Sequence, residues 1–425
     1  MHKITQLFKR YELHIKNISY FLVTRLIAIV AFVLVVPFFI DQASEEQYGL
    51  ASIGFSLLTI STALDVAFGY VLVQSFGRRY ARGRDIANSP TLGLFSFYLN
   101  ISLGIAIFGL VIVFALGLSA PETLMYASLA ALLPALCISG CVAAIFQARN
   151  QLKPINLSRF SFELSKVFAL ATSALIADDI SLIGPVMFIT TFIRSAFDLY
   201  FLRMLTGINF TYCVNSAHEN KNFFKIASYG LHPLLTAALT MTISIGDKII
   251  IKKLFGASSV AYYSLAYDIS TKAYILVYAV NAAMLSVILH RYARRSSTQT
   301  PLLFGLYTVT LLGIFFYIPL FVFAPQIIKY WLSNSISANV VPLIRIMVIA
   351  SVTYLYGNVF EVSLIAMGRA KSVFFVYLVG VLVYWVSVFI SSWQLSLHGF
   401  MYSYLMLFIT LLSGFFIVYM RQNRY

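Results

Sequence analysis

Charge is what this sequence has least of. Only 11% of its residues are Asp, Glu, Lys or Arg, against ~25% in a soluble domain, and 60% are hydrophobic where ~45–50% is usual. A chain of this composition cannot cover a globular surface with polar groups, and a membrane protein is expected. Acid is scarcer than base, with 15 Asp and Glu against 30 Lys and Arg. The excess of base could point to nucleic acid, but the basic residues fall between apolar runs rather than in one patch. Cysteine is nearly absent. Cys137 and Cys141 lie in an apolar run and Cys213 stands alone in a polar loop, so there is no disulfide framework. His2, His14, His218, His232, His290 and His398 are scattered without metal-ligand spacing. No G-x-x-x-x-G-K-[ST] loop occurs, which excludes ATP hydrolysis by this chain. No polar stretch is long enough for a soluble catalytic domain. The expectation is a protein that is not an enzyme and uses no cofactor and no metal.

What is present is apolar length. A helix needs ~20 apolar residues to cross the hydrocarbon core. Twelve such runs stand at 18–40, 50–75, 91–117, 124–147, 157–177, 183–205, 227–250, 259–287, 302–324, 339–363, 372–393 and 399–420. The first reads as a span rather than a cleaved signal peptide. With the N-terminus inside, nineteen of the thirty basic residues fall in cytoplasmic segments, among them Arg78, Arg79, Arg82 and Arg84. Only Lys248, Lys252, Lys253 and Lys329 fall outside, where Asp41, Glu45, Glu46, Asp178 and Asp179 gather. The positive-inside rule then puts both termini in the cytoplasm. Ahead of the first run, Ile4, Leu7, Phe8 and Tyr11 share one helical face, as in a short helix lying on the inner leaflet.

Two short matches share one offset. "YGLA" at 48–51 returns as "YSLA" at 263–266, and "SLIG" at 181–184 as "SLHG" at 396–399. A duplicated six-span unit follows, its halves equally oriented, with a site expected between them near the midplane. The expected organisation is an interfacial segment at 1–17, a six-helix bundle at 18–205, a cytoplasmic linker at 206–224, a second bundle at 225–420 and a tail at 421–425. The fold class is all-α integral membrane, with twelve transmembrane helices in two parallel six-helix bundles around a central cavity.

Ionisable residues inside spans are costly and mark function by default. Arg25 and Asp65 lie at similar depth on neighbouring spans and can pair. Arg159, Glu163 and Lys166 stand at i, i+4 and i+7, so one face carries all three. Arg194 and Asp198 are i, i+4, as are Asp268 and Lys272. Asp247 sits near the outer end of its span, and Arg345 and Glu361 share the tenth. At ~1.5 Å per residue, Lys166, Arg194 and Lys272 fall roughly 13–17 Å from a membrane face. Midplane cations outnumber the carboxylates at that depth, which fits a cationic cavity for an anionic group, phosphate above all. Arg25, Lys166, Arg194, Lys272 and Arg345 are the candidate substrate contacts. Asp65, Glu163, Asp198, Asp268 and Glu361 are the candidate coupling or gating residues. Packing is the competing reading for each, and Arg25 with Asp65 could serve only to lock two helices. Pro37, Pro134, Pro233 and Pro319 fall inside spans and can bend them.

The stretch "EQYGLASIGFSLLTISTALDVAFGYVLVQSFGRRYARG" resembles the second-span region of the O-antigen and capsule-unit flippases, relatives of the multidrug and toxin extrusion transporters. Leu64, Asp65 and Gly69 match that family's motif, and Ala67 replaces its first glycine. "FGASSVAYYSLAYDIS", "GDKIIIKKLFG" and "IAMGRAKSVFF" are similar to its later motifs. The resemblance implies a substrate of undecaprenyl-pyrophosphate-linked oligosaccharide. It would be moved across the bacterial inner membrane by alternating access, driven by a proton or sodium gradient. A repeat-unit polymerase and a chain-length regulator would be partners in lipopolysaccharide assembly, along with membrane lipid, and nucleic acid would not. The alternative is an ion-coupled multidrug exporter of the same fold, for which a carboxylate-rich lumen is expected. A membrane polymerase or acyltransferase is a third class. It would need a large outer loop or an intramembrane catalytic histidine, and neither is present.

Overall fold

The computed structural model describes residues 23–61 except 25, 93–208 except 150, 231–274, 297–393 except 333, and 396–422, with single positions between them. Its elements are helical throughout these residues. They are α1 (Leu26–Ala43), α2 (Glu45–Leu57), α3 (Gly93–Ala115), α4 (Ala120–Ala131), α5 (Leu133–Ala148), α6 (Leu152–Ile176) and α7 (Ile183–Thr206). There follow α8 (Leu231–Phe255), α9 (Ala257–Thr271), α10 (Gln299–Leu312), α11 (Ile318–Trp331), α12 (Asn334–Ala366), α13 (Ala370–Trp393) and α14 (Leu397–Gln422). Each of the twelve apolar runs has its helix. Two runs are covered by two elements each, α4 with α5 and α10 with α11. Among the described residues nine spans are long and apolar enough to cross a membrane. The others are α2 and α9, whose continuations are not described, and α6, which carries Lys153, Arg159, Glu163 and Lys166. The protein is an all-α, multi-pass integral membrane protein.

Local chemistry sets the boundaries. Ser44 caps α2 by accepting from the Gln47 N–H, and Glu45 and Glu46 follow in the first turn, where the helix dipole favours acid. Glu122 reaches back to the Ser119 N–H to open α4. Pro134 has no N–H to offer Ala130, and the span changes there from α4 to α5. Pro319 follows a π-helical turn at Gly313–Tyr317, which absorbs the break in the ladder between α10 and α11. Gly256 (φ 86) joins α8 to α9 and Gly368 (φ 76) turns α12 into α13. Both are left-handed conformations that favour glycine.

The chain divides into two compact units, Met1–Gln47 with Gly54–Ala237 and Tyr48–Ile53 with Ala238–Tyr425. In the first, an apolar cluster joins Phe95 and Tyr98 of α3, Cys137 and Cys141 of α5, and Ile155 and Leu202. The two cysteines are thus core residues. In the second, α12 buries a stripe at helical spacing, Val340, Ile344, Met347, Ser351 and Leu355. Lipid tails are as apolar as leucine, so spans associate through close packing at small residues. Gly49 shows this in the second unit. A Cβ placed there would sit 2.0 Å from the Ala257 carbonyl oxygen, so α2 and α9 cross almost in backbone contact. Gly184 lets α7 approach α4 in the same way, 2.4 Å from the Met125 oxygen.

Candidate functional site

Each unit carries its own polar network. In the first, the seam joins α5, α6 and α7. Asp198 accepts a hydrogen bond from the Ser158 hydroxyl at 2.7 Å, and Ser158 accepts from Arg194 Nε at 2.9 Å. The guanidinium and carboxylate are also paired directly at 3.7 Å. Ser139 adds a hydrogen bond to Asp198 from α5. The Ser195 hydroxyl completes the seam by donating to the Ala135 carbonyl at 2.7 Å. One turn along α6, Lys166 Nζ meets Glu163 at 3.2 Å. The Phe162 ring lies beneath both cations, 4.9 Å from Lys166 Nζ and 5.1 Å from the Arg194 guanidinium carbon. The excess of base read along the sequence is therefore not an excess of lone cations here, because Lys166 and Arg194 each meet a carboxylate.

The second network is deeper and was less visible in the sequence. Asp247 of α8 is 1% exposed. Its carboxylate accepts from the Tyr263 hydroxyl, from the Tyr404 hydroxyl at 3.0 Å and from the Lys248 N–H at 2.6 Å. The Tyr404 ring packs against Tyr263, Tyr267 and Tyr384. The buried Tyr384 hydroxyl interacts with those of Tyr263 and Tyr404. Lys248 sends its Nζ to the Ser52 carbonyl of α2 at 3.0 Å and interacts with both Asp247 and Asp268. Asp268 in turn holds the Tyr48 hydroxyl. Ser52 and Ser264 join hydroxyls at 2.8 Å, so the "YGLA" and "YSLA" repeats pack directly on one another. The network ties α2, α8, α9, α13 and α14 together. Placing Lys248 in an outer loop is corrected. Helix α8 runs on to Phe255, and a lysine in a span satisfies its charge by reaching inward rather than to water.

The remaining candidates are dispersed. Glu361, near the end of α12, accepts from Asn358 Nδ2 at 2.9 Å and the Tyr377 hydroxyl at 3.1 Å. Among the described residues it has no cationic partner. Lys272 is half-buried just beyond the end of α9. Arg345 is exposed on α12, with its guanidinium 5.8 Å from the Phe321 ring centre. Arg25, Asp65, the arginines at 78, 79, 82 and 84, and the interfacial N-terminal helix lie outside the described residues. Sequence reasoning missed the tyrosine cage around Asp247. Tyr263 and Tyr267 at i, i+4 after an Asp-Lys pair were its available signal, but Tyr384 and Tyr404 reach it from distant helices.

The helical architecture has counterparts among known proteins. The family model that matches is MatE, over residues 234–390. That region holds Asp247, Lys248, Tyr263, Asp268, Glu361 and Tyr384. Among solved structures, an inward-facing multidrug resistance MATE family transporter of the MOP superfamily superposes with a TM-score of 0.75. It is 13% identical and covers 96% of this chain and 98% of its own. A MOP superfamily transporter from Pyrococcus furiosus Vc1 (DSM3638), whose binding pocket of reversed polarity suggests a different function, gives 0.73 at 15% identity, with 96% of each chain covered. An outward-facing multidrug resistance MATE transporter gives 0.69 at 14% identity, again with 96% of each chain covered. Among curated proteins nothing matches. The chain has the fold of the MATE transporters.

The resemblance to the O-antigen and capsule-unit flippases is corrected by these findings. So is the oligosaccharide-lipid substrate read from it, with the lipopolysaccharide and polysaccharide-biosynthesis assignment. The physical reason is visible in the motifs that carried it. Gly49 permits a close helix crossing, Gly368 makes a left-handed turn, and Asp247 with Lys248 ties helices together. These are packing roles in this chain and say nothing about cargo. The polymerase and chain-length-regulator partners rested on that resemblance and lose their basis with it.

Proposed function

We propose that this protein is an ion-coupled exporter of amphipathic small molecules, a transporter rather than an enzyme. It would act in the bacterial inner membrane with both termini cytoplasmic. The observation that carries the reading is the carboxylate-bearing interior of the second unit. Asp247 and Asp268 share one lysine, and Glu361 is held only by neutral donors among the described residues. A carboxylate in a span is expensive unless it is paired or used, and a cation that binds and leaves is such a use. In this reading a proton or sodium ion exchanges at these carboxylates, and the helices they join repack as it does. Asp268 and Glu361 are the coupling residues, and Asp247 transmits the change through its tyrosines to α9 and α14. In the first unit, Glu163 and Asp198 hold Lys166 and Arg194 around Phe162, which gives a charged and aromatic surface for an amphipathic cargo. Lys272 lies one turn from Asp268 and would sense its charge.

The test is transport by purified protein in proteoliposomes, with a fluorescent lipophilic cation as cargo and an imposed proton or sodium gradient. Gradient-dependent accumulation is expected in wild type and should be lost in Asp268→Asn and Glu361→Gln. Accumulation indifferent to either gradient, or undiminished in both variants, would overturn the proposal.

A further inference from the structure

The structure assigns Arg345, with the Phe321 ring beside it, as a binding site for the phosphate of an anionic phospholipid on the membrane-facing surface of the second unit. This stands apart from the transport reading. The argument begins with depth. Helix α12 runs twenty-one residues beyond Arg345 to Ala366, just before the Gly368 turn, or ~32 Å at ~1.5 Å per residue. The hydrocarbon core is ~30 Å thick, and ~40–45 Å with its headgroups. With the Gly368 turn among the headgroups on one side, Arg345 reaches the far edge of the hydrocarbon core, from which its long side chain can extend to the phosphates. Phe321 gives the same answer from a second helix, since it lies ~33 Å along the span that starts at Gln299.

The surroundings indicate what meets the guanidinium there. Ala338, Pro342, Arg345 and Ile349 follow one another at helical spacing and are all exposed, so they form one outward stripe of α12. On α11, Ile318, Phe321 and Val322 are exposed in turn. The stripe is apolar apart from Arg345, as a surface for acyl chains should be. Three other cations of the described spans differ. Lys166 and Arg194 have carboxylates and Lys248 has a carbonyl and two carboxylates nearby, whereas Arg345 has no carboxylate partner among the described residues. A guanidinium that reaches the headgroups can meet a phosphate there, and its planar fork suits two phosphate oxygens. The Phe321 ring lies beside the fork, its centre 5.8 Å from the guanidinium carbon. Lys329, exposed near the end of α11, adds a second cation on the same side of the membrane. An anionic lipid is favoured over a zwitterionic one, whose own amine would compete for the phosphate.

Native mass spectrometry of the purified protein with added phosphatidylglycerol or phosphatidylcholine tests this. Wild type should retain phosphatidylglycerol preferentially, and Arg345→Gln should lose about fivefold of that retention, the worth of one basic residue at an anionic surface. Phe321→Leu should lose part of it, and phosphatidylcholine retention should not change in either variant. Equal retention of the two lipids by wild type would overturn the site, as would undiminished phosphatidylglycerol on a folded Arg345→Gln. Displacement of the lipid by inorganic phosphate would also overturn it, because that would mark a free-anion site. If Arg345→Gln fails to fold, thermal stabilisation of wild type decides. Phosphatidylglycerol must raise the melting temperature more than phosphatidylcholine does, and an equal rise refutes the proposal.

Discussion

Two glycines that look alike in the sequence should respond in opposite ways to alanine. Gly49 in α2 and Gly104 in α3 both lie inside helices. A Cβ at Gly104 meets nothing within 4 Å, whereas a Cβ at Gly49 would stand 2.0 Å from the Ala257 carbonyl oxygen and 3.2 Å from the Ala261 nitrogen. Those atoms are backbone and cannot rotate away. Restoring an ordinary contact of 3.4 Å requires α2 and α9 to part by about 1.4 Å. That movement stretches the 2.8 Å Ser52–Ser264 bond and the 3.0 Å bond from Lys248 to the Ser52 carbonyl beyond useful length. Two lost hydrogen bonds at ~1 kcal/mol each, with ~1–3 kcal/mol for overpacking, exceed the ~1 kcal/mol that alanine gains in helix propensity. Gly49→Ala should therefore destabilise by about 2–4 kcal/mol. Gly104→Ala should stabilise by up to ~1 kcal/mol. Cys137 and Cys141 are 1% exposed, so a thiol-reactive dye during heating, in a Cys213→Ser background, reports unfolding. Equal melting temperatures for Gly49→Ala and Gly104→Ala would refute the close-crossing argument.

Two further outcomes follow from the first unit. Replacing Ser158 by Ala removes the hydroxyl that accepts from Arg194 and donates to Asp198, and should cost about 1–3 kcal/mol in the same melting assay. Ser158→Thr, which keeps the hydroxyl, should recover part of that loss, and no difference between the two would deny the relay. A double-mutant cycle on Glu163 and Lys166, whose side chains are 34% and 22% exposed, should give a coupling of only ~0–1 kcal/mol. A coupling well above that would mean the pair is shielded from water.

Much of the architecture was legible before any coordinates. Apolar length announces a span because every span must satisfy its backbone polar groups internally in lipid, and each of the twelve runs contains a helix among the described residues. The pair Arg194 and Asp198 was legible for a related reason, since i, i+4 spacing on one helix places two side chains together whatever the tertiary fold. The same reasoning put Glu163 and Lys166 on one face, and the structure joins them.

The tertiary structure decided which charges are partnered. Asp247 and Lys248 are adjacent in sequence, yet their partners come from α2, α9 and α14, up to 196 residues away. No local spacing encodes that. The cargo reading failed for the complementary reason: in this chain those glycines and the Asp-Lys pair serve a close crossing, a left-handed turn and a joint between helices, so motifs built from them report packing and not substrate. Composition and apolar periodicity determined by themselves that this chain is a polytopic helical membrane protein, because lipid constrains each span separately. Partnering of buried charge is settled by the packed helices, so only the folded chain shows that Ser158 of α6 joins Arg194 and Asp198 of α7, while Arg345 is exposed with no carboxylate partner among the described residues.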